Sequence, residues 1–145
     1  MTAEKTHQSG SETRAYCFRL RKGSDLKTSI MDFCQRNGIH AGCVSSLVGC
    51  VSVAKLRLAD SITELERVEP FEIINVSGTI TPDHLHLHAS FADREGLVVG
   101  GHMLEGCIVS CTAEVCLLSF PHYEFEREFD PGTGYGELRV SHRTG

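Results

Sequence analysis

The segment Pro82-Asp83-His84-Leu85-His86-Leu87-His88-Ala89-Ser90-Phe91 alternates imidazole and aliphatic side chains residue by residue. A period of two is the mark of a strand, because successive side chains there point to opposite faces. His84, His86 and His88 therefore share one face, and Leu85 and Leu87 the other. The leucine face needs a core to cover it, so the segment is expected to be a strand seated on a folded body, not a loop. Imidazoles two positions apart on one strand face have roots roughly 6–7 Å apart and can converge on one ion. A fourth histidine follows a glycine pair in Gly100-Gly101-His102. Zinc is held by neutral imidazole nitrogens at about 2.0–2.1 Å, and an open site commonly keeps three protein ligands.

His86, His88 and His102 are accordingly the candidate ligands of zinc or another divalent transition metal. The competing reading is that they are ordinary histidines satisfied by hydrogen bonds. Two on one strand face plus a third beside a glycine pair favour the metal. Gly100 and Gly101 let backbone approach closely and so position His102, although a plain turn or bulge uses glycine in the same way. His84 lies next to the Pro82-Asp83 turn and is expected to face solvent or to support the ligands. His7, His40, His122 and His142 have no partner nearby in sequence.

A chain of 145 residues can build one proper core, and 41% hydrophobic with 23% charged residues suits a soluble globular domain. The formal net charge is −5, and no basic cluster is longer than Arg19-Leu20-Arg21-Lys22. A duplex reader normally presents a basic surface, so strong direct DNA binding is not expected. No apolar run approaches the ~18–20 residues of a membrane span. The cysteines, Cys17, Cys34, Cys43, Cys50, Cys107, Cys111 and Cys116, are odd in number and form no Cys-x-x-Cys pair. With no secretory signal ahead of them, they read as small buried hydrophobes in a reducing compartment. A cytoplasmic location, or a nuclear one in a eukaryote, follows, and secretion does not. Residues 1–14 read as a disordered tail, 15–140 as one domain and 141–145 as a second tail.

Ala15 to Arg21 alternates as a first strand. Ser24 or Asp25 caps the main helix, Leu26, Ile30, Phe33 and Cys34 form its apolar stripe, and Gly38 stops it. Two β-rich stretches follow, Gly42 to Val48 and Val51 to Leu58, with Gly49 at a bend. The charged residues Asp60 to Glu69 suggest an exposed connection, and Phe71 to Ile80 a strand leading into the histidine strand. Asp93-Arg94-Glu95-Gly96 is a turn. Ile108 to Ser119 is the longest β-rich run, and Tyr123 to Phe129 alternates again. Strands dominate and connections are short. The expected class is α+β, a single domain with an antiparallel or antiparallel-rich mixed sheet and one main helix.

Together these segments resemble the plants-and-prokaryotes-conserved (PPC) domain over about residues 15–140. The marks are the opening strand and helix through Gly23, Phe71-Glu72-Ile73-Ile74-Asn75-Val76-Ser77-Gly78, and His86-Leu87-His88-Ala89-Ser90. The turn from Gly96 to Gly100-Gly101-His102 and the closing Asp130-Pro131-Gly132-Thr133-Gly134-Tyr135 complete the order. The resemblance implies a compact domain commonly assembled as a homotrimer. It also implies a fold similar to those of acetolactate decarboxylase and a zinc-dependent ester hydrolase group, which place a His-x-His pair and a further His on zinc. Plant members join the domain to an AT-hook, and this sequence has no Arg-Gly-Arg-Pro hook.

Glu114, inside the apolar run Thr112-Ala113-Glu114-Val115-Cys116, must be paired, hydrogen-bonded or edge-exposed. It is the candidate acid/base at a metal site, and equally an ordinary solvent-face residue. Glu72 leans toward a structural or subunit-contact role, and Asp93 and Arg94 are turn residues. Ser45 and Ser46 lack a Gly-x-Ser-x-Gly context and the cysteines an activating neighbour, which argues against a Ser or Cys nucleophile. No dinucleotide fingerprint is present, so no organic cofactor is expected. Two function classes remain. One is a zinc-binding, homotrimeric assembly or regulatory module that presents a surface to protein partners. The other is a zinc-dependent hydrolase or lyase acting on a small carbonyl substrate. A closed four-ligand site favours the first, and three ligands beside a deep cleft favour the second.

Overall fold

The computed structural model describes residues 10–143. The elements run β1 (Arg14–Arg21), α1 (Leu26–Arg36), β2 (Gly42–Arg57), β3 (Glu64–Ile80), β4 (Leu85–Ala92), β5 (Val98–Met103), β6 (Ile108–Ser119), β7 (Tyr123–Asp130) and β8 (Tyr135–His142). Six strands form one sheet in the order β1-β6-β2-β3-β4-β5, and β7 pairs with β8 as a separate hairpin. Every strand pairing among the described residues is antiparallel. The α+β expectation holds in its antiparallel form, with one helix. No helix among the described residues is long and apolar enough to cross a membrane.

The far end of β2 also pairs with β5, Leu56 with Met103 and Arg57 with His102. That extra pairing closes β2, β3, β4 and β5 on themselves and encloses one side of each strand. The enclosed side carries Leu56, Phe71, Ile73, Leu85, Leu87, Phe91 and Met103, all buried. Fully burying a side chain of this size stabilises by about 1.5–3 kcal/mol, so these positions fix the register.

Asp25 caps α1 by accepting from the Thr28 amide at 3.0 Å, and its other oxygen accepts from the Gly106 amide at 2.6 Å. One carboxylate thus starts the helix and ties it to the β5–β6 turn. Leu26, Ile30 and Cys34 are buried along its inner face, and Phe33 stacks on Phe18 with ring centroids 3.9 Å apart. Gly38 follows the helix at φ 62°, the left-handed conformation glycine adopts most readily.

Three segments differ from the sequence reading. Gly42–Arg57 is one bulged strand and not two, with Gly49 inside it. Its missing side chain is required, because a Cβ there would collide with the Thr112 carbonyl of β6. The charged stretch assigned to a connection supplies the start of β3. Leu65, Arg67 and Glu69 are half-buried while Glu64, Glu66 and Val68 are exposed, so the segment alternates as a real strand, with Arg67 and Glu69 paired on its half-buried face. Only the stretch around Asp60 turns, where its carboxylate accepts from the amides of Ile62 and Thr63. Finally, β8 extends through His142, into the expected second tail. Of the first expected tail, residues 10–13 carry no helix or strand, and residues 1–9 lie outside the described residues, as do 144 and 145.

The cysteines divide as well. All seven are free thiols, but only Cys34 and Cys107 are buried, while Cys17 and Cys111 are exposed. Burial pushes the Cys34 and Cys107 thiols up to about 11.

Candidate metal centre

Strand β4 buries Leu85, Leu87, Ala89 and Phe91 and leaves His86, His88 and Ser90 on its other face. Beside it, β5 sets His102 directly across from His88. The nearest nitrogens of His86, His88 and His102 all lie within 4.8 Å of one another. Their ring centroids are 5.2 Å apart for His86 and His88, 5.3 Å for His86 and His102, and 5.8 Å for His88 and His102. The three expected residues are therefore brought together, by two strands and one register.

Two glycines permit that register. A Cβ on Gly101 would sit 2.6 Å from the Arg57 carbonyl oxygen, so the β2–β5 closure that carries His102 needs a bare backbone there. Gly78, at φ 149°, faces the His86 carbonyl so closely that any side chain would collide with it. Gly100 and Gly101 lie within β5 and not in a turn.

The chemistry of the donor set suits a transition metal. Burial, with Arg57 and Lys27 adding to it, pushes the His102 imidazole down to about 4. Burial and Arg127 likewise lower His86, and burial with Arg127 and Lys27 lowers His84. Neutral imidazole is the ligating form. His102 Nδ1 is buried and has no hydrogen-bond partner, a condition that costs stability unless something occupies the lone pair or takes the proton. A divalent ion held by His86, His88 and His102 fits these side chains.

A cavity of about 410 Å³ opens on the cluster. His84, His86, His102 and Arg57 form one wall, and Arg127, Tyr135 and Glu137 of the β7–β8 hairpin form the other. The hairpin is held against the sheet by Phe125, buried with its ring 6.1 Å from Phe120, and by the Arg127 guanidinium, which donates to Thr79 Oγ1 at 3.1 Å. Thr79 is the register partner of His86, so this contact anchors the hairpin beside the histidines. His84 lines the cavity, its ring 6.5 Å from that of His86, outside the converging trio.

Glu114 is not part of this arrangement. It is exposed on β6, across from Arg19 on β1 and Val48 on β2, and does not line the cavity. Its apolar neighbours Ala113 and Val115 point to the opposite face and are the buried ones. The carboxylate on the cavity wall is Glu137, whose Oε1 accepts from Thr133 Oγ1 at 2.8 Å. Glu72 is likewise exposed, and Asp93 does form its turn, accepting from the amides of Glu95 and Leu97.

Sequence reasoning missed Arg57, Arg127, Tyr135 and Glu137. One signal was present: Tyr123, Phe125, Arg127 and Phe129 share a face of β7, and a lone arginine on an aromatic face needs a reason. Arg57 and Glu137 carry no such mark, because nothing local distinguishes them from solvent-facing charges.

The sequence model of the Plants and Prokaryotes Conserved (PCC) domain matches residues 7–121. The Bifunctional protein GlmU of Synechococcus sp. (strain JA-3-3Ab) is 42% identical over 127 residues, which is 88% of this chain and 20% of that protein. The chain thus spans about a fifth of the length of that curated relative. A hypothetical protein from Salmonella cholerae-suis has the same fold with a TM-score of 0.91 at 31% identity, covering 95% of this chain and 100% of the other. A metal-containing protein from Archaeoglobus fulgidus superimposes with a TM-score of 0.73 at 26% identity, covering 91% and 99%. The family match ends before β7, so the hairpin wall of the cavity lies beyond it.

Proposed function

The chain belongs to the Plants and Prokaryotes Conserved (PCC, also written PPC) domain family, and from that premise we propose that it is a divalent-metal-binding, homotrimeric module. His86, His88 and His102 hold a zinc-class ion, and the assembled domain presents its surface to protein partners. The observation that carries this reading is the convergence of three imidazoles whose nitrogens lie within 4.8 Å, one of them with a buried, unpartnered Nδ1. The Archaeoglobus fulgidus relative, described as metal-containing, supports it. Self-association is supported by the exposed sheet face. Gly49 pairs with Ile73, which sets Val48 across from Ile74, and the two are 53% and 58% exposed. Apolar side chains in that position are what a subunit interface buries. Tight duplex binding forms no part of this proposal, since the net charge is −5 and no Arg-Gly-Arg-Pro hook is present.

Metal analysis of protein purified without chelator or histidine tag tests the reading. Near-stoichiometric zinc-class metal is expected, lost in the His86→Ala/His88→Ala double variant. A wild-type protein that takes up no zinc on titration refutes it.

A second reading, hydrolase or lyase chemistry on a small carbonyl compound, is favoured by one feature. The cluster has three candidate ligands among the described residues and faces a cavity instead of being closed by a fourth. A bound zinc there would supply Lewis acidity and lower the pKa of an attached water. This chain's own contribution would be Glu137, placed on the facing wall to hold or accept a proton at a carboxylate oxygen, with Thr133 fixing its orientation. Metal-dependent turnover of small esters or 2-hydroxy-2-methyl-3-oxo acids, lost in Glu137→Gln at equal zinc occupancy, is the test. Undiminished activity in that variant removes Glu137 from the mechanism.

A further inference from the structure

Two arginines flank the histidines, and among the described residues neither has an anionic partner. Arg57 is the cross-strand partner of His102 in the β2–β5 closure. Arg127 reaches in from the hairpin to Thr79, the cross-strand partner of His86. The guanidiniums thus approach the cluster from different strands, one beside each of two histidines, and both line the same cavity. Among the described residues no carboxylate lies within ion-pair distance of either one, although Arg67 and Arg139 elsewhere in the chain are paired. Arg127 donates from one terminal nitrogen to Thr79, and its Nε is buried with no partner.

An unsatisfied donor on a half-buried cation is a costly state, more so than on a neutral group. The fold keeps this state at the mouth of a cavity and not in a sealed core, so the missing acceptor is something that enters. Guanidinium is the side chain best matched to planar or tetrahedral oxyanions, which it grips through two parallel N–H donors. The volume of about 410 Å³ falls in the range of small-molecule sites, roughly 300–1,000 Å³.

We propose that this cavity binds a small organic oxyanion, a carboxylate or phosphate ester, clamped by Arg57 and Arg127 with its remaining oxygens directed at His86 and His102. The proposal deepens the reading of the site given above and rests on it only for the contribution of the metal. Glu137 on the same wall sets a limit on the ligand's charge: it offsets part of the guanidinium charge and favours a molecule with one strongly anionic end. The hairpin that carries Arg127, Tyr135 and Glu137 lies beyond residues 7–121, the region matched by the family model.

Calorimetric titration of the full chain separates the two ideas. Chelator-treated protein is titrated at low ionic strength with inorganic phosphate and, separately, with malonate. Saturable one-to-one binding of at least one probe is expected, weakened tenfold or more in Arg57→Gln and in Arg127→Gln. Arg139→Gln, on the outer side of the same hairpin, should leave it unchanged. Thermal melts establish that the variants are folded, and Arg127→Lys should recover only part of the affinity, because it restores charge without the fork. The same titrations are then run on protein carrying one equivalent of zinc, where tighter binding is expected. Arg-dependent anion binding in a protein that takes up no zinc would sink the metal reading and leave the anion site standing. Zinc uptake with no binding of either probe, or with binding indifferent to both arginines, overturns the anion site. So does a short AT-rich duplex that displaces the probes in an Arg127-dependent manner, which would assign the arginines to a nucleic-acid backbone.

Discussion

His88 of β4 and His102 of β5 are direct cross-strand partners, and their imidazoles meet edge-on at 5.8 Å between ring centroids. A directly opposed pair on neighbouring antiparallel strands is among the most closely held arrangements a sheet offers, with Cβ atoms about 4.5–5.5 Å apart. Two ligands of the candidate site are therefore positioned by backbone hydrogen bonds, and His86 joins them from the same strand face. The sheet itself gathers the three side chains, and that has measurable consequences.

Zinc should raise the thermal midpoint of the chelator-treated protein. At free metal a hundredfold above its Kd, linkage corresponds to about 2.7 kcal/mol. His102→Ala should abolish the increase, whereas His84→Ala should retain it, since His84 stands outside the converging trio. Equal loss in both variants would show that the ligand set has been misassigned.

Gly101→Ala should damage a residue that makes no contact with metal. Its Cβ would press on the Arg57 carbonyl, a backbone atom that cannot swing away, and overpacking of this kind costs about 1–3 kcal/mol. The strand that carries His102 must shift to relieve it, so zinc affinity should fall together with the urea midpoint. A variant with wild-type stability and affinity would mean that the β2–β5 closure is looser than described.

Asp93 should contribute to acid sensitivity. Burial works to raise its carboxyl, but the Glu95 and Leu97 amides and the Arg67 guanidinium outweigh it and hold the group below the usual carboxylate range. A depressed folded pKa gives stability that is present above the unfolded value, about 3.9, and is lost as pH falls through the folded one. Asp93→Asn should therefore lower stability at pH 7 and flatten the loss between pH 5 and 2. Arg67 also lies over the Phe71 ring at 5.2 Å, so Arg67→Ala should destabilise more than removal of its charge alone.

The thiols should separate by burial. Brief iodoacetamide treatment at pH 8 is expected to label Cys17 and Cys111 and to spare Cys34 and Cys107 until the protein unfolds. Because the folded pKa of the buried pair is raised to about 11, unfolding releases their protons at lower pH than the native state does. Stability contributed by these groups should thus be intact below about pH 8.5 and decline as pH climbs toward 11. Peptide mapping that finds Cys34 labelled as fast as Cys111 would contradict the core as described.

Much of the fold can be read along the chain because its determinants are local. Alternation marks β1, β4, β6 and β7, the stripe Leu26, Ile30 and Cys34 marks the helix, and Asp25 and Gly38 mark its ends. The His-x-His face and the histidine after Gly100-Gly101 are local too, since strand parity alone decides which side chains can meet. Parity says nothing about which strands become neighbours. The pairing of β2 with both β3 and β5, which puts Arg57 beside His102, links residues 45 positions apart through a closure that only core packing selects. The same holds for the hairpin: its own sequence pairs β7 with β8, but the burial of Phe125 and the Arg127–Thr79 contact decide that it covers the histidines. Glu114 shows the reverse case. Its sequence left two readings level, an acid/base at the metal site and a solvent-face residue, and the tertiary structure leaves Glu114 facing out with Ala113 and Val115 buried on the other face. The sequence by itself determined the faces, the helix and the three candidate ligands. Only the tertiary structure decided which charges join them, because a charge on a strand's polar face is identical in sequence whether that face meets solvent or another strand pair.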